Sequence, residues 1–380
     1  MKSANRTGDG KSKAHRKKHT PVTLRTVADY VGVTPATVSA VLNNSAAARA
    51  FPQRTKDRVL TAARKLNYRP NFLARSLRVK RTYMIGVITE EIGDPYGAGV
   101  ISGIERYLRQ RGYFFLTVAH RHDPQLLESY AHMLQQRGVE GFITVDTSIR
   151  EIPPLPTVAV AGHHRVEEVT NLILDHKIAA RMALEHLTTL GHREIAFMKG
   201  PTSSSDSEVR WKAIEEVTKS LGLQIKEDVT IRLQGDTVTQ DMGHLFVKKW
   251  LARKGSCTAL FCYNDNAALG AIRAIQEAGL RVPQDISIVG FDDIEAAAYA
   301  TPPLTTVRQP LREMGALAAK SLLGRIEKSE EYTSEIAVKP EFVVRRSTSR
   351  PGALPERAEE LALSVEAENL SDIASGRGPK

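Results

Sequence analysis

Cysteine is nearly absent. Cys257 and Cys262 are the only two in 380 residues, too few to staple a chain of this length, and the expected setting is a reducing cytoplasm. They flank TALF in what reads as a buried strand, so packing is their expected role. No apolar run reaches the ~18 residues a helical membrane span needs. The N-terminus, MKSANRTGDGKSKAHRKKHT, is basic and polar without an apolar segment, so it does not read as a secretory signal. GxxxxGK[ST], GxSxG, HExxH and CxxC are all missing. GAGVISG (97–103) follows a strand, but its third glycine comes one position late for GxGxxG, and Glu90, Glu91 and Asp94 just before it would repel phosphates. HRHD (120–123) has no second cluster at metal-ligand spacing. An enzyme is therefore not expected, and neither is a cofactor.

Acidic residues are scarce at one end only. From Met1 to Thr82, Asp9, Asp29 and Asp57 face 19 Lys and Arg, a net of +16, which leaves −6 for the rest of a chain whose total is +10. A strongly basic module on a mildly acidic body points to a small part that meets a polyanion and a large part that does something else.

Residues 1–20 read as a basic disordered tail. From residue 21 apolar periodicity begins. LRTVADYVGV (24–33) places Leu24, Val27, Ala28 and Val31 at helical spacing, with Thr23 as cap and Gly32 as terminator. Thr34 then caps a second helix with Pro35 in its first turn, where the missing N–H is not needed. TPATVSAVLN (34–43) carries almost no charge, and Val38, Val41 and Leu42 give it an inner stripe. A third helix, TKDRVLTAARKLNYRP, turns Val59, Leu60, Ala63 and Leu66 inward. Two short helices across a tight turn form a helix-turn-helix, whose second helix enters the major groove by its N-terminal end. Small residues there permit close approach to base edges, Thr34, Thr37 and Ser39 can donate to phosphates or bases, and the surrounding Arg and Lys hold the backbone.

NFLARSLRVKRTY (71–83) is a short basic segment, marginal as an isolated helix, whose folding can be coupled to DNA and to a second copy. Beyond it strands and helices alternate. YMIGVIT, YFFLTVA, GFITV and PTVAVAG are followed after Gly191 by EIAFMKG, VTIRL, TALFCY and DISIVGF. Alternation of this kind means parallel sheets with helices on both faces. Polar residues cluster at strand ends: Asp94-Pro95-Tyr96, the loop running to Arg210, Asn264-Asp265 and Asp292-Asp293. REMGALAAKSLLGRI is a helix with Met314, Leu317, Ala318 and Leu322 on one stripe.

TLRTVADYVGVTPATVSAVLN, RVLTAARKLNYRPNFLARSLR and IGVI together resemble the lactose-repressor family of bacterial transcription regulators, over roughly residues 22–350. The resemblance implies an N-terminal all-α helix-turn-helix domain (21–70), a hinge helix or linker (71–82) and an α/β body (83–349). The body would consist of two doubly wound parallel-sheet subdomains of the periplasmic-binding-protein type. Subdomain N would span about 83–190 and 310–338, subdomain C about 191–309 and 339–349, and residues 350–380 would be a disordered tail. The implied DNA contacts are Thr23, Thr34, Pro35, Ala36, Thr37, Ser39, Ala40, Asn43, Tyr68, Asn71, Ala74 and Leu77. Pro35, Ala36 and Ala40 fall at the family's base-reading positions, and Leu77 at its minor-groove wedge. Ala40 stands where relatives often carry a long polar residue, so the operator sequence does not carry over. Effector contacts map onto Tyr96, Arg210, Asn264 and Asp292, with Asp265 and Gln309 beside them. The loop TSSSDSEV holds no further basic or large aromatic residue, which disfavours a purine-type effector and favours a sugar, a sugar phosphate or another hydroxylated metabolite. The implied partners are operator DNA, that small-molecule effector and a second copy in a homodimer, with no membrane.

Overall fold

The structure is a computed structural model that describes residues 22–69, 76, 80–151, 153–162, 164–235, 238–251, 257–329 and 331–352. The chain divides into two units, one ending at Arg81 and the other beginning at Thr82. Asn71, Ala74 and Leu77, residues 1–20 of the N-terminal tail and residues 353–380 of the C-terminal one lie outside the described residues.

In the first unit, α1 (Leu24–Val31) starts at Thr23, whose hydroxyl accepts from the Thr26 amide in a reciprocal capping box, and stops at Gly32 with φ 76°. The helix α2 (Pro35–Leu42) starts at Thr34, which accepts from the Thr37 amide. A 3-10 turn, Ala46–Ala50, leads to α3 (Gln53–Lys65), whose N-cap Pro52 makes no side-chain cap bond. Val27, Ala28, Val31, Val38, Val41, Val59, Ala62 and Ala63 form the core. Each buried valine contributes roughly 1.5–3 kcal/mol, an upper estimate. Arg58 donates from Nη2 to the Val31 carbonyl at 2.7 Å and ties α3 to the end of α1.

The second unit holds two six-stranded sheets. The first contains β1 (Met84–Thr89), β2 (Phe114–Ala119), β3 (Phe142–Val145), β4 (Thr157–Val160), β5 (Val169–Leu174) and β11 (Glu335–Val338), in the order β11-β5-β4-β3-β1-β2. Every pairing in it is parallel. The helices α4 (Pro95–Gln110) and α11 (Leu311–Ile326) share one core with it, and α5 (Pro124–Gln136) shares another through Leu134. The second sheet contains β6 (Ile195–Lys199), β7 (Thr230–Arg232), β8 (Ala259–Phe261), β9 (Ser287–Asp292), β10 (Thr305–Arg308) and β12 (Glu341–Val343), in the order β12-β10-β9-β8-β6-β7. One core joins it to α6 (His176–Leu190) and α7 (Ser205–Ser220), the other to α8 (Gln240–Leu251) and α9 (Asp265–Glu277). The short α10 (Glu295–Tyr299) follows β9.

Three features differ from the expected pattern. The sheets are not wholly parallel, because β12 runs antiparallel to β10 at an edge. β5, β10, β11 and β12 are additional strands, and the last two are only 4 and 3 residues long. The first crossing between lobes falls near Asp175, not near residue 190. Asp175 caps α6, and Ala179, Ala180, Ala183, Leu184 and Leu187 pack into the second lobe's core. Gly191, at φ 104°, ends that helix and does not mark the lobe boundary.

The glycines of GAGVISG serve helix packing. A Cβ on Gly103 would lie 2.0 Å from the Arg312 carbonyl oxygen, and one on Gly315 would lie 2.0 Å from that of Val100. The backbones of α4 and α11 touch there, and only glycine leaves room for it.

Candidate functional site

In the helical unit, Pro35 and Ala36 are exposed at the start of α2, with Thr37 and Ala40 half-buried. Ala36, Ala40 and Asn43 follow at helical spacing along one face, so the surface of α2 is built of methyl groups and small polar atoms. Thr34 and Thr23 act as caps, their hydroxyls already accepting backbone amides. Ser39 departs from the expected set of open donors: it is only 6% exposed. It sits between Val38 and Val41 on the packed side, where Asn43 Nδ2 donates to its carbonyl at 2.7 Å. Tyr68 is half-buried against the helical core.

In the second unit a cleft opens at the carboxyl ends of strands from both sheets, the usual place for ligands in open α/β folds. Its non-atom space is about 660 Å³, open mouth included. The loop after β1 brings Glu90, Glu91 and Asp94, and the first turn of α4 brings Tyr96; Asp146 follows β3 and Ala161 follows β4. From the other lobe come Ser204, Asp206 and Arg210, then Tyr263 and Asn264 after β8, and Asp292 at the end of β9. Ser204 Oγ stands 3.5 Å from Asp146 Oδ1 across the cleft. Asp146, Ala161 and Asp292 have φ of 44°, 57° and 107°. Such backbone is costly for residues with a Cβ and gathers at functional sites.

Arg210 lies at the centre and is 5% exposed. Its Nη2 donates to Asp206, its Nη1 donates to the Tyr263 carbonyl at 2.6 Å, and its guanidinium lies 3.8 Å from the Phe291 ring centroid and 4.6 Å from that of Tyr263. Burial works against its charge, but Asp206, Tyr263 and Asp292 outweigh burial and hold it protonated. Asp206 also meets His176 Nε2 at 2.8 Å, at the first residue of α6 beside the crossing. Gln309 Nε2 donates to Asp292 Oδ1 at 2.7 Å.

Burial pushes the carboxyls of Asp94, Asp146 and Asp292 upward. Neighbouring acids add to this: Glu90 for Asp94 and Asp146, and Asp265 for Asp292, whose rise Arg210 opposes. The Tyr96 phenol is likewise raised, by burial first and then by Asp206, Asp146 and Asp292. Its hydroxyl is buried without a hydrogen-bond partner.

The cleft brings together Tyr96, Arg210, Asn264 and Asp292. It does not include Asp265 or Gln309 in its lining. Asp265 is fully buried, accepts from Thr306 Oγ1 at 2.6 Å and from the Ile294 amide at 2.9 Å, and has its carboxyl pushed up to about 7, chiefly by burial. It braces β10 and the turn after β9. Gln309 acts through Asp292. Glu90, Glu91, Asp146, Asp206 and Tyr263 line the cleft without having been singled out as contacts. Each follows a strand or opens a helix, so carboxylates after strand ends were the available signal. HRHD contributes to the same lobe: His120 Nε2 meets Thr147 Oγ1 at 3.0 Å, and His122 Nε2 meets Glu90 Oε1 at 2.5 Å. Among the described residues no group of three His, Cys, Asp or Glu could hold a metal. Cys257 and Cys262 are both buried, and burial raises both thiols, Cys257 to about 12.

A basic helix-turn-helix unit and a two-lobed body with a cleft define the class: a DNA-binding regulator. Residues 23–71 match the model of the lacI family of bacterial regulatory proteins, and residues 184–348 match a periplasmic binding protein-like domain. The chain is 33% identical over 337 residues to an HTH-type transcriptional repressor PurR of Haemophilus influenzae, covering 86% of this chain and 98% of the relative. A repressor of the same name from Pasteurella multocida is 33% identical over 334 residues, covering 86% and 98%. The lac repressor dimer bound to operator and the anti-inducer ONPF superposes with a TM-score of 0.77 at 28% identity, covering 87% of this chain and all of that one. A CelR–cellobiose complex gives 0.62 at 28% identity, covering 86% and 99%. The chain belongs to the lacI family of bacterial regulatory proteins, and it is a DNA-binding transcriptional repressor of that family.

Proposed function

We propose that this repressor is controlled by a small hydroxylated metabolite held in the cleft, and that it works as a homodimer on a pseudo-palindromic operator. Arg210 carries the reading: a buried cation, stacked on two rings and joined to carboxylates, lies in a cleft between two lobes. Carboxylates and a guanidinium can bracket a polyol, and an aromatic ring can pack on its apolar face. Relatives of the same fold are recorded with cellobiose and with ribose, both polyhydroxylated.

The mechanism follows from the connections. Ligand in the cleft alters the angle between lobes, which turn about the crossings near 175, 310 and 339. That rotation changes the spacing of the two hinge segments in the dimer, and with it the folding of residues 71–82 on DNA, where Leu77 is the proposed wedge. Effector and DNA affinities are then linked reciprocally. No cofactor takes part in this reading.

Removing residues 1–82 tests the DNA half. The truncated protein is expected to lose its promoter fragment in a mobility-shift assay, and equal retention by both forms refutes it. Asp292→Asn tests the cleft half. It should blunt the effector response with operator affinity kept within about threefold, and an unchanged response refutes the assignment.

A further inference from the structure

The charge balance of the cleft narrows the ligand further, and this step rests on the reading of the cleft as the effector site. Six carboxylates line it: Glu90, Glu91, Asp94, Asp146, Asp206 and Asp292. Arg210 is the one Lys or Arg among the described lining residues, and its guanidinium is already paired with Asp206 and the Tyr263 carbonyl. Glu90 has His122 as a partner. The hydrogen-bond partners of Asp94, Asp146 and Asp292 are neutral: the Gly97 amide at 2.9 Å, the Ser204 hydroxyl at 3.5 Å and the Gln309 amide at 2.7 Å.

Among the described residues these three carboxyls make no ion pair, and burial with neighbouring acids makes their ionised form costly for as long as no added cation joins them, Arg210 offsetting only part of that cost at Asp146 and Asp292. A phosphate or carboxylate entering here would meet six acidic side chains against a single lining guanidinium, whose two Nη atoms are engaged and whose Nε alone is without a hydrogen-bond partner among the described residues. A neutral sugar would satisfy hydrogen bonds and leave the charge imbalance in place. A protonated amine would supply what the lining lacks, because an opposite charge within ~4–6 Å favours the ionised carboxylate. The unpartnered Tyr96 hydroxyl, buried in the same lining, is an independent mark of a polar ligand group that belongs there.

We infer that the effector carries a protonated amine on a hydroxylated frame, as an amino sugar or aminopolyol does, and that the cleft rejects anions.

The test is calorimetric titration of the full chain with glucosamine, galactosamine and mannosamine, each beside its parent hexose and its 6-phosphate. At least one amine is expected to bind about tenfold or more tightly than its parent, with no binding of the phosphates. Asp146→Asn should weaken binding of the amine by about tenfold more than it weakens binding of the parent hexose. A parent or phosphate that binds as tightly as its amine, with binding lost in Arg210→Ala, overturns the inference and keeps the cleft as effector site. Amine binding that Asp146→Asn and Arg210→Ala both leave unchanged lies elsewhere and overturns the inference and the cleft reading together. Absence of binding by all three amines at millimolar concentration also overturns the inference.

Discussion

Replacing Arg210 by alanine separates what this residue does for the fold from the role proposed for it toward the effector. The guanidinium is 5% exposed, paired with Asp206, bonded to the Tyr263 carbonyl and stacked 3.8 Å from the Phe291 ring centroid. Removing it leaves Asp206 buried without its guanidinium, with His176 still against it. Breaking one side of a buried ion pair costs about 3–5 kcal/mol, most of it the penalty of the stranded charge. The lost cation–π contacts overlap with that figure and are not added to it. Both tryptophans of the chain, Trp211 on α7 and Trp250 on α8, sit in the second lobe's cores. Fluorescence-detected urea unfolding therefore reports on the lobe that holds Arg210, even if the lobes do not unfold together. At ~3 kcal/mol per molar of urea, the midpoint should fall by about 1–1.7 M. Operator affinity of the folded variant should stay within about threefold, and the effector response should vanish. The double variant Asp206→Asn with Arg210→Met removes both charges, and should recover most of the midpoint while remaining unresponsive. An Arg210→Ala midpoint within about 0.3 M of the parent's would refute the argument that this pair is buried and mutually dependent.

Operator affinity should drop steeply with salt, by about a thousandfold between 50 and 200 mM for ~6 phosphate contacts; a flat profile in fluorescence anisotropy contradicts the role of the basic head. Gly103→Ala places a methyl group 2.0 Å from the Arg312 carbonyl oxygen. Separating α4 from α11 should cost about 1–3 kcal/mol in chemical unfolding of the body, and a variant as stable as the parent would show that the helices can part freely. His192 is buried between Thr258 Oγ1 at 2.7 Å, Ser287 Oγ at 3.1 Å and the Ser349 carbonyl at 2.9 Å, and burial lowers its pKa. Its neutral form is the native one, so its contribution is complete above the unfolded value of ~6.5 and declines as pH falls through that value toward the lower folded one. The stability gap between parent and His192→Gln should therefore narrow from pH 7.5 to 5, and the comparison removes the opposite trend of Asp265. A gap that widens on acidification would mean that the imidazole is charged in the native state.

Much of this was legible because local chemistry agreed with the fold. Thr23, Gly32, Thr34 and Pro35 stand as cap, stop, cap and first turn, and the buried strands β1, β6, β8 and β9 are short apolar runs. β12 was not, because EFV has three residues and its place depends on pairing with β10. The lobe to which α6 belongs is not legible in the sequence, because nothing in a helix's own periodicity says which sheet it covers. Ser39 has a residue type suited to DNA but a position on the packed side of α2. The cleft showed the same division. Tyr96 and Asn264 come just after strands, Asp292 ends one and Arg210 lies in the helix after β6, so they could be picked out, whereas Asp265 comes just after a strand too and turns inward to Thr306 and Ile294. Asp206 could be recognised only through Arg210 and His176, two partners that the fold brings to it.

The glycine contacts between α4 and α11 have a mechanical consequence. α4 begins one residue before Tyr96, and α11 begins two residues after Gln309. Welded backbone to backbone at Gly103 and Gly315, these helices leave almost no slack between Tyr96 in the cleft and one of the crossings between the lobes. A push on Tyr96 would be delivered as a turn of the whole first lobe, in the way a crank transmits torque without bending.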